Sequence, residues 1–116
     1  MSAIKDGQRA GCDLWGVNLE DADLSSANLR GANLKDSDLR NATLTNADLV
    51  GANLSNSDLR GTVFFGADLS NANLKGAHII RTKFNGSILC NTTMPDGHVE
   101  YSGCILKRIE ELLKRK

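Results

Sequence analysis

Residues 22–41 read Ala22-Asp23-Leu24-Ser25-Ser26, Ala27-Asn28-Leu29-Arg30-Gly31, Ala32-Asn33-Leu34-Lys35-Asp36 and Ser37-Asp38-Leu39-Arg40-Asn41. Leucine returns at every fifth position, and two residues before it stands something small. Followed outward, the pattern runs unbroken from Cys12 to Met94. The large positions begin at Leu14 and Leu19 and end at Ile79, Phe84, Leu89 and Met94. The small ones begin at Cys12 and Val17 and end at Thr82, Ser87 and Thr92. Internal repetition of this kind decides the architecture before any single residue is weighed.

A period of five excludes both ordinary elements. On an α-helix, five residues advance about 500°, so successive leucines would scatter around the cylinder. On an uninterrupted strand, an odd period would turn every second leucine outward. The pattern works if each unit is a very short strand closed by a corner, with the small residue and the leucine both pointing inward. The corner residues agree: Gly16, Asp21, Gly31, Asp36, Asn41, Asn46, Gly51 and their equivalents are the types that tolerate positive φ in a type II turn. Arg81 is the exception, and it predicts either a different turn there or local strain.

These units, of the form Ala-Asp/Asn-Leu-x-x, resemble the pentapeptide-repeat family over most of the chain. The resemblance implies an all-β fold: a right-handed, four-sided parallel β-helix with four units and twenty residues per coil. The sequence adds its own support for twenty. Ser37-Asp38-Leu39-Arg40 recurs as Ser57-Asp58-Leu59-Arg60, and Thr62 with Phe64 recurs as Thr82 with Phe84. About four coils result, filled by four columns of stacked side chains. One column holds Leu14, Leu34, Leu54, Leu74 and Met94, and the next Leu19, Leu39, Leu59 and Ile79. The third holds Leu24, Leu44, Phe64 and Phe84, and the last Leu29, Leu49, Leu69 and Leu89. The inward Ser37, Ser57, Thr62 and Thr82 must find hydrogen-bond partners there.

The division expected along the chain is a lead-in at 1–11, the β-helix at 12–94, a turn and tail at 95–104 and a helix at 105–116. Cys90-Asn91-Thr92-Thr93-Met94-Pro95-Asp96-Gly97 looks like the end of many cyanobacterial members of the family. Beyond it, Ile105, Ile109, Leu112 and Leu113 share one face of an amphipathic helix with cations at its C-terminus. Its regular Glu110-Glu111-Leu112-Leu113-Lys114-Arg115-Lys116 ending has the look of an idealised helix, natural or engineered. The apolar stripe needs a cover. The expected cover is the last coil of the same chain, giving a monomer, and the alternative is a homodimer through the helix.

The chain is 116 residues with zero formal net charge, one domain's worth. No apolar run approaches the ~20 residues of a membrane span. Met1-Ser2-Ala3-Ile4-Lys5 lacks a signal-peptide core, which gives a cytoplasmic expectation. Of three cysteines, Cys12 takes an inward position and is expected buried. Cys90 and Cys104 can be bridged only if the tail folds back over the last coil. Cys90, His98 and Cys104 lack the fourth ligand a structural zinc requires.

No catalytic, cofactor-binding or metal-binding residue is assigned. His78 occupies an outward slot, and neither it nor His98 has an evident partner in the sequence. No phosphate loop or metal motif is present, so neither an enzyme nor a small-molecule substrate is expected. Two functions remain. The first is a structural scaffold or protein-interaction module with an unidentified protein partner, Val63, Phe65 and Ile80 forming an outward apolar patch. The second, implied by the resemblance, is mimicry of DNA toward a type II topoisomerase such as DNA gyrase. That role needs a dense acidic face. The repeats hold nine acids (Asp13, Glu20, Asp21, Asp23, Asp36, Asp38, Asp48, Asp58, Asp68) against seven cations (Arg30, Lys35, Arg40, Arg60, Lys75, Arg81, Lys83), an excess of two. Interleaved charges and a solitary Trp15 argue equally against nucleic-acid binding.

Overall fold

Every fifth residue from Gly11 to Asn91 has φ between 56° and 77° in the computed structural model, which describes residues 11–114. The backbone thus bends at each corner that the sequence marks. Arg81 bends too, with φ 58°. Of the two outcomes open for that corner, local strain is observed: Arg81 makes the same left-handed bend as the other corners without the glycine, Asn or Asp that tolerates it.

Between corners the walls are so short that each contributes a single bridging residue. Asp13 bridges Asn33, Asn33 bridges Asn53 and Asn53 bridges Asn73, all parallel and twenty residues apart; the other three walls repeat this. Leu34 N–H donates to the Asn53 carbonyl at 2.7 Å, and Asn53 N–H returns a bond to the Ala32 carbonyl at 2.9 Å. Within most corners the small residue's N–H donates to the preceding leucine's carbonyl, as from Ser37 to Leu34 at 3.2 Å. Four corners close each twenty-residue coil.

The coils are filled as well as wound. Leu34, Leu39, Leu44, Leu49, Leu54, Leu59, Phe64, Leu69 and Leu74 are fully buried, and Leu14 nearly so. Phe64 and Phe84 stack in their column with ring centroids 5.3 Å apart. Phe84 is only half-buried, as expected of the last member of a column. The inward hydroxyls are satisfied: Ser37 Oγ donates to the Leu34 carbonyl at 2.6 Å, Ser57 Oγ to Leu54 at 2.6 Å and Thr62 Oγ1 to Leu39 at 2.7 Å. Among the described residues no buried side-chain polar atom lacks a partner.

Interior expectations are corrected at both ends, where Leu19, Phe84 and Leu89 are only half-buried. Cys12 is half-buried, because it belongs to the first coil. Ile79 is 39% exposed and Met94 half-buried. The repeats stop at Met94, so no further coil covers these columns, and the tail crosses only part of the end. That tail is a short hairpin of two strands, β1 (Thr92–Thr93) and β2 (Val99–Glu100), paired antiparallel. Met94 N–H donates to the His98 carbonyl at 2.8 Å, and Gly103 N–H to the Leu89 carbonyl at 2.9 Å. A Cβ on Gly103 would lie 2.6 Å from Leu89 N, so only glycine lets the tail pass this close.

The helix α1 spans Cys104–Leu113. Cys90 and Cys104 are joined by a disulfide, which fastens its first residue to the last coil. The tail does fold back, as the bridge required. The expected apolar capping by the helix, however, is not what is seen. Ile105, Ile109, Leu112 and Leu113 are all exposed, and no residue of α1 is buried. The helix lies along a wall with its charged side inward, where Lys107 Nζ donates to Asp68 Oδ2. The lead-in expected to cover the first coil, and the last two residues of the expected 105–116 helix, lie outside the described residues.

Candidate functional site

The outward middle position of each wall is a structural position before it is a functional one. An Asp or Asn there accepts a hydrogen bond from the N–H two residues on, as Asn53 Oδ1 does from Ser55 at 3.0 Å and Asp68 Oδ1 from Ser70 at 3.0 Å. This Asx bond closes the start of the next corner. Sequence reading noted the residue type but not this task.

Two acidic columns are paired with cations. Arg60 grips Asp58 through Nε at 2.8 Å and Nη2 at 2.5 Å, and Arg40 grips Asp38 at 2.9 and 2.7 Å. Arg40 also reaches Glu20 at 3.3 Å. Arginine hydrogen bonds hold the Asp38 and Asp58 carboxyls below the usual range, against a smaller opposing effect of burial. On another wall Arg30 Nε meets Asp48 Oδ2 at 3.1 Å. Burial pushes Asp68 up, but hydrogen bonds from Lys107 and Ser70 together outweigh it and leave its pKa lowered.

His98 has partners the sequence did not reveal. Its Nδ1 lies 2.6 Å from Asp96 Oδ1 and its Nε2 3.1 Å from Glu100 Oε1. The two carboxylates raise the imidazole pKa, Glu100 most. Asp96 and His98 are exposed on the hairpin and Glu100 is half-buried. No group of His, Cys, Asp and Glu among the described residues is arranged to hold a metal ion. The zinc alternative is further removed by the disulfide, which takes both thiols.

The apolar patch is divided. Thr43, Val63 and Lys83 form one outward column, so Val63 lies between polar neighbours. Phe65, 40% exposed, stands at one corner of that wall. The opposite corner, where Arg60 stands on the coil below, carries Ile80, 60% exposed. Ile80 instead adjoins Ile79, and the two make an apolar edge at the uncovered coil end. A second apolar surface, made by α1, faces away from the body. Between α1 and its wall lies a polar groove of about 520 Å³ lined by Arg30, Asp48, Asp68, Lys107, Glu110 and Glu111, among others. No helix among the described residues is long and apolar enough to cross a membrane.

A family model for pentapeptide repeats matches this chain in eight copies, over residues 10–41, 22–61, 37–76 and 57–94. Among solved structures, a pentapeptide-repeat protein from Nostoc PCC 7120 is 27% identical over 82% of this chain and 75% of its own, with a TM-score of 0.51. One from the cyanobacterium Cyanothece 51142 is 30% identical over 78% of this chain and 88% of its own, with a TM-score of 0.36. QnrB1, a plasmid-mediated fluoroquinolone resistance protein, is 16% identical over 73% of this chain and 66% of its own, with a TM-score of 0.29, and at that distance lends no argument. No curated protein matches.

Proposed function

Because the chain belongs to the pentapeptide-repeat family, whose members fold as right-handed quadrilateral β-helices, we propose that it is a non-catalytic interaction module rather than an enzyme. The observation that carries this reading is the contrast between a fully packed axis and an uncovered end. Nine stacked side chains from Leu34 to Leu74 are wholly shielded, while Ile79 and Ile80 are 39% and 60% exposed at the last coil. Burying such groups against a protein partner is the gain the surface still offers. A photo-crosslinker at position 80 tests it in cells that express the chain. The expected result is a discrete protein adduct that is lost with Ile79→Asp and absent with the crosslinker at position 45, a corner far from the end. No adduct, or the same adducts from both positions, overturns the reading.

DNA mimicry finds four of the nine repeat acids already paired with a cation: Asp38, Asp48, Asp58 and Asp68 each hold an Arg or Lys. No inhibition of gyrase supercoiling is expected at micromolar protein. The Cys90–Cys104 bridge supports an oxidising compartment over the cytoplasm that the opening residues suggested. Alkylation of the chain in unbroken cells followed by mass measurement tests this, and labelling at Cys90 and Cys104 would restore the cytoplasmic assignment.

A further inference from the structure

We propose that α1 is a pre-oriented foot for an anionic lipid surface, with Ile105, Leu106, Ile109, Leu112 and Leu113 as its insertion face. These five are 70%, 53%, 47%, 43% and 61% exposed. At 100° per residue they fill an arc of about 120° on one side of the helix. The opposite side is committed: Lys107 is bonded to Asp68, and Glu110, Glu111 and Lys114 line the same groove. The disulfide at Cys104 and the bond from Gly103 to Leu89 fix where the helix starts. The apolar face is therefore aimed outward before any partner arrives, so little ordering remains to be done on binding.

Charge selects the occupant. The chain is neutral overall, yet residues 104–116 carry Lys107, Arg108, Lys114, Arg115 and Lys116 against Glu110 and Glu111, five cations to two acids. The rest of the chain is correspondingly acidic, so positive charge is concentrated on the segment with the apolar face. Arg108 flanks that face, where its stem can lie along apolar surface while its head reaches a phosphate. A short amphipathic helix with cations beside an aliphatic stripe is the pattern that lies in a bilayer interface and favours anionic lipids. A second copy fits less well. It would set two cationic helices side by side, and a helix about 15 Å long falls short of the ~800 Å² per partner of a stable interface. The absence of a membrane-spanning segment does not bear on a helix that lies flat.

The test is flotation of the intact, oxidised protein with vesicles of phosphatidylcholine alone or with phosphatidylserine added. Binding to the serine-containing vesicles is expected to exceed that to phosphatidylcholine by roughly tenfold and to fall with added salt. Ile109→Glu and Leu112→Glu are expected to abolish it, and Arg108→Glu to weaken it several-fold. All three side chains are exposed, so an unchanged melting transition shows the β-helix intact. Binding that survives Ile109→Glu, or no binding by the unaltered protein, overturns the proposal. So does a dimer in sedimentation equilibrium that Ile109→Glu dissolves, which would assign the face to a second copy.

Discussion

At the residue scale the fold depends on what each fifth position buries and what each corner tolerates. Leu54 is fully buried between Leu34 and Leu74 in its column. Leu54→Ala is expected to cost about 2–5 kcal/mol in denaturant unfolding, because a rigid wall of hydrogen-bonded coils cannot collapse onto the cavity. A cost under about 1 kcal/mol would contradict a stacked interior. Arg81→Gly is expected to stabilise the chain by about 1 kcal/mol, since it relieves a left-handed residue at φ 58°. Loss of stability on that change would mean that the Arg81 side chain holds the corner through contacts of its own. Nearly all of this was legible, because a five-residue period leaves inward and corner positions no freedom. Ile79 was not, since its exposure depends on where the tail goes, and the repeat says nothing about the tail.

At the element scale, the tail and α1 were legible as segments but not as placements. Helical spacing says which residues share a face, not which way the face looks. Here the Lys107–Asp68 pair and the covalent tie at Cys104 decide it. Cys104→Ser is expected to remove about 3 kcal/mol of constraint, the value for a closed loop of this size. Hydrogen exchange should localise the effect: the Gly103 and Lys107 amides lose protection while the Leu54 amide keeps it. Equal loss at Leu54 would show that the tail supports the whole prism. The hairpin should also respond to pH. His98 is raised by Glu100 and Asp96, so its contribution is full below the ordinary histidine value near 6.5 and fades as pH climbs through its raised value. Asp96 and Glu100 are lowered by hydrogen bonds, so theirs is full above ordinary carboxylate values and fades as pH falls through the lowered ones. Hairpin protection should therefore peak between about pH 4.5 and 6.5. A profile flat across that range and up to pH 8 would deny the trio any role.

At the scale of the whole molecule, the bridge spacing of twenty residues makes each coil a replaceable layer. Deleting residues 32–51 joins Gly31 to Ala52 and returns every later residue to its former column one level lower. The shortened chain is expected to fold with the same dichroism spectrum and a lower melting temperature, as for other nearest-neighbour arrays. An unfolded product would show that the coils are not interchangeable. The ladder bears equally on how the chain first reaches this shape. Each new coil finds its hydrogen-bonding template in the one just finished, and loop closure spans a constant, short length of chain. Ribosomal synthesis can therefore hand over structure storey by storey, with the growing rim always ready and never a distant strand to wait for. The disulfide, whose second cysteine emerges near the end, then arrives last and locks a tower already standing.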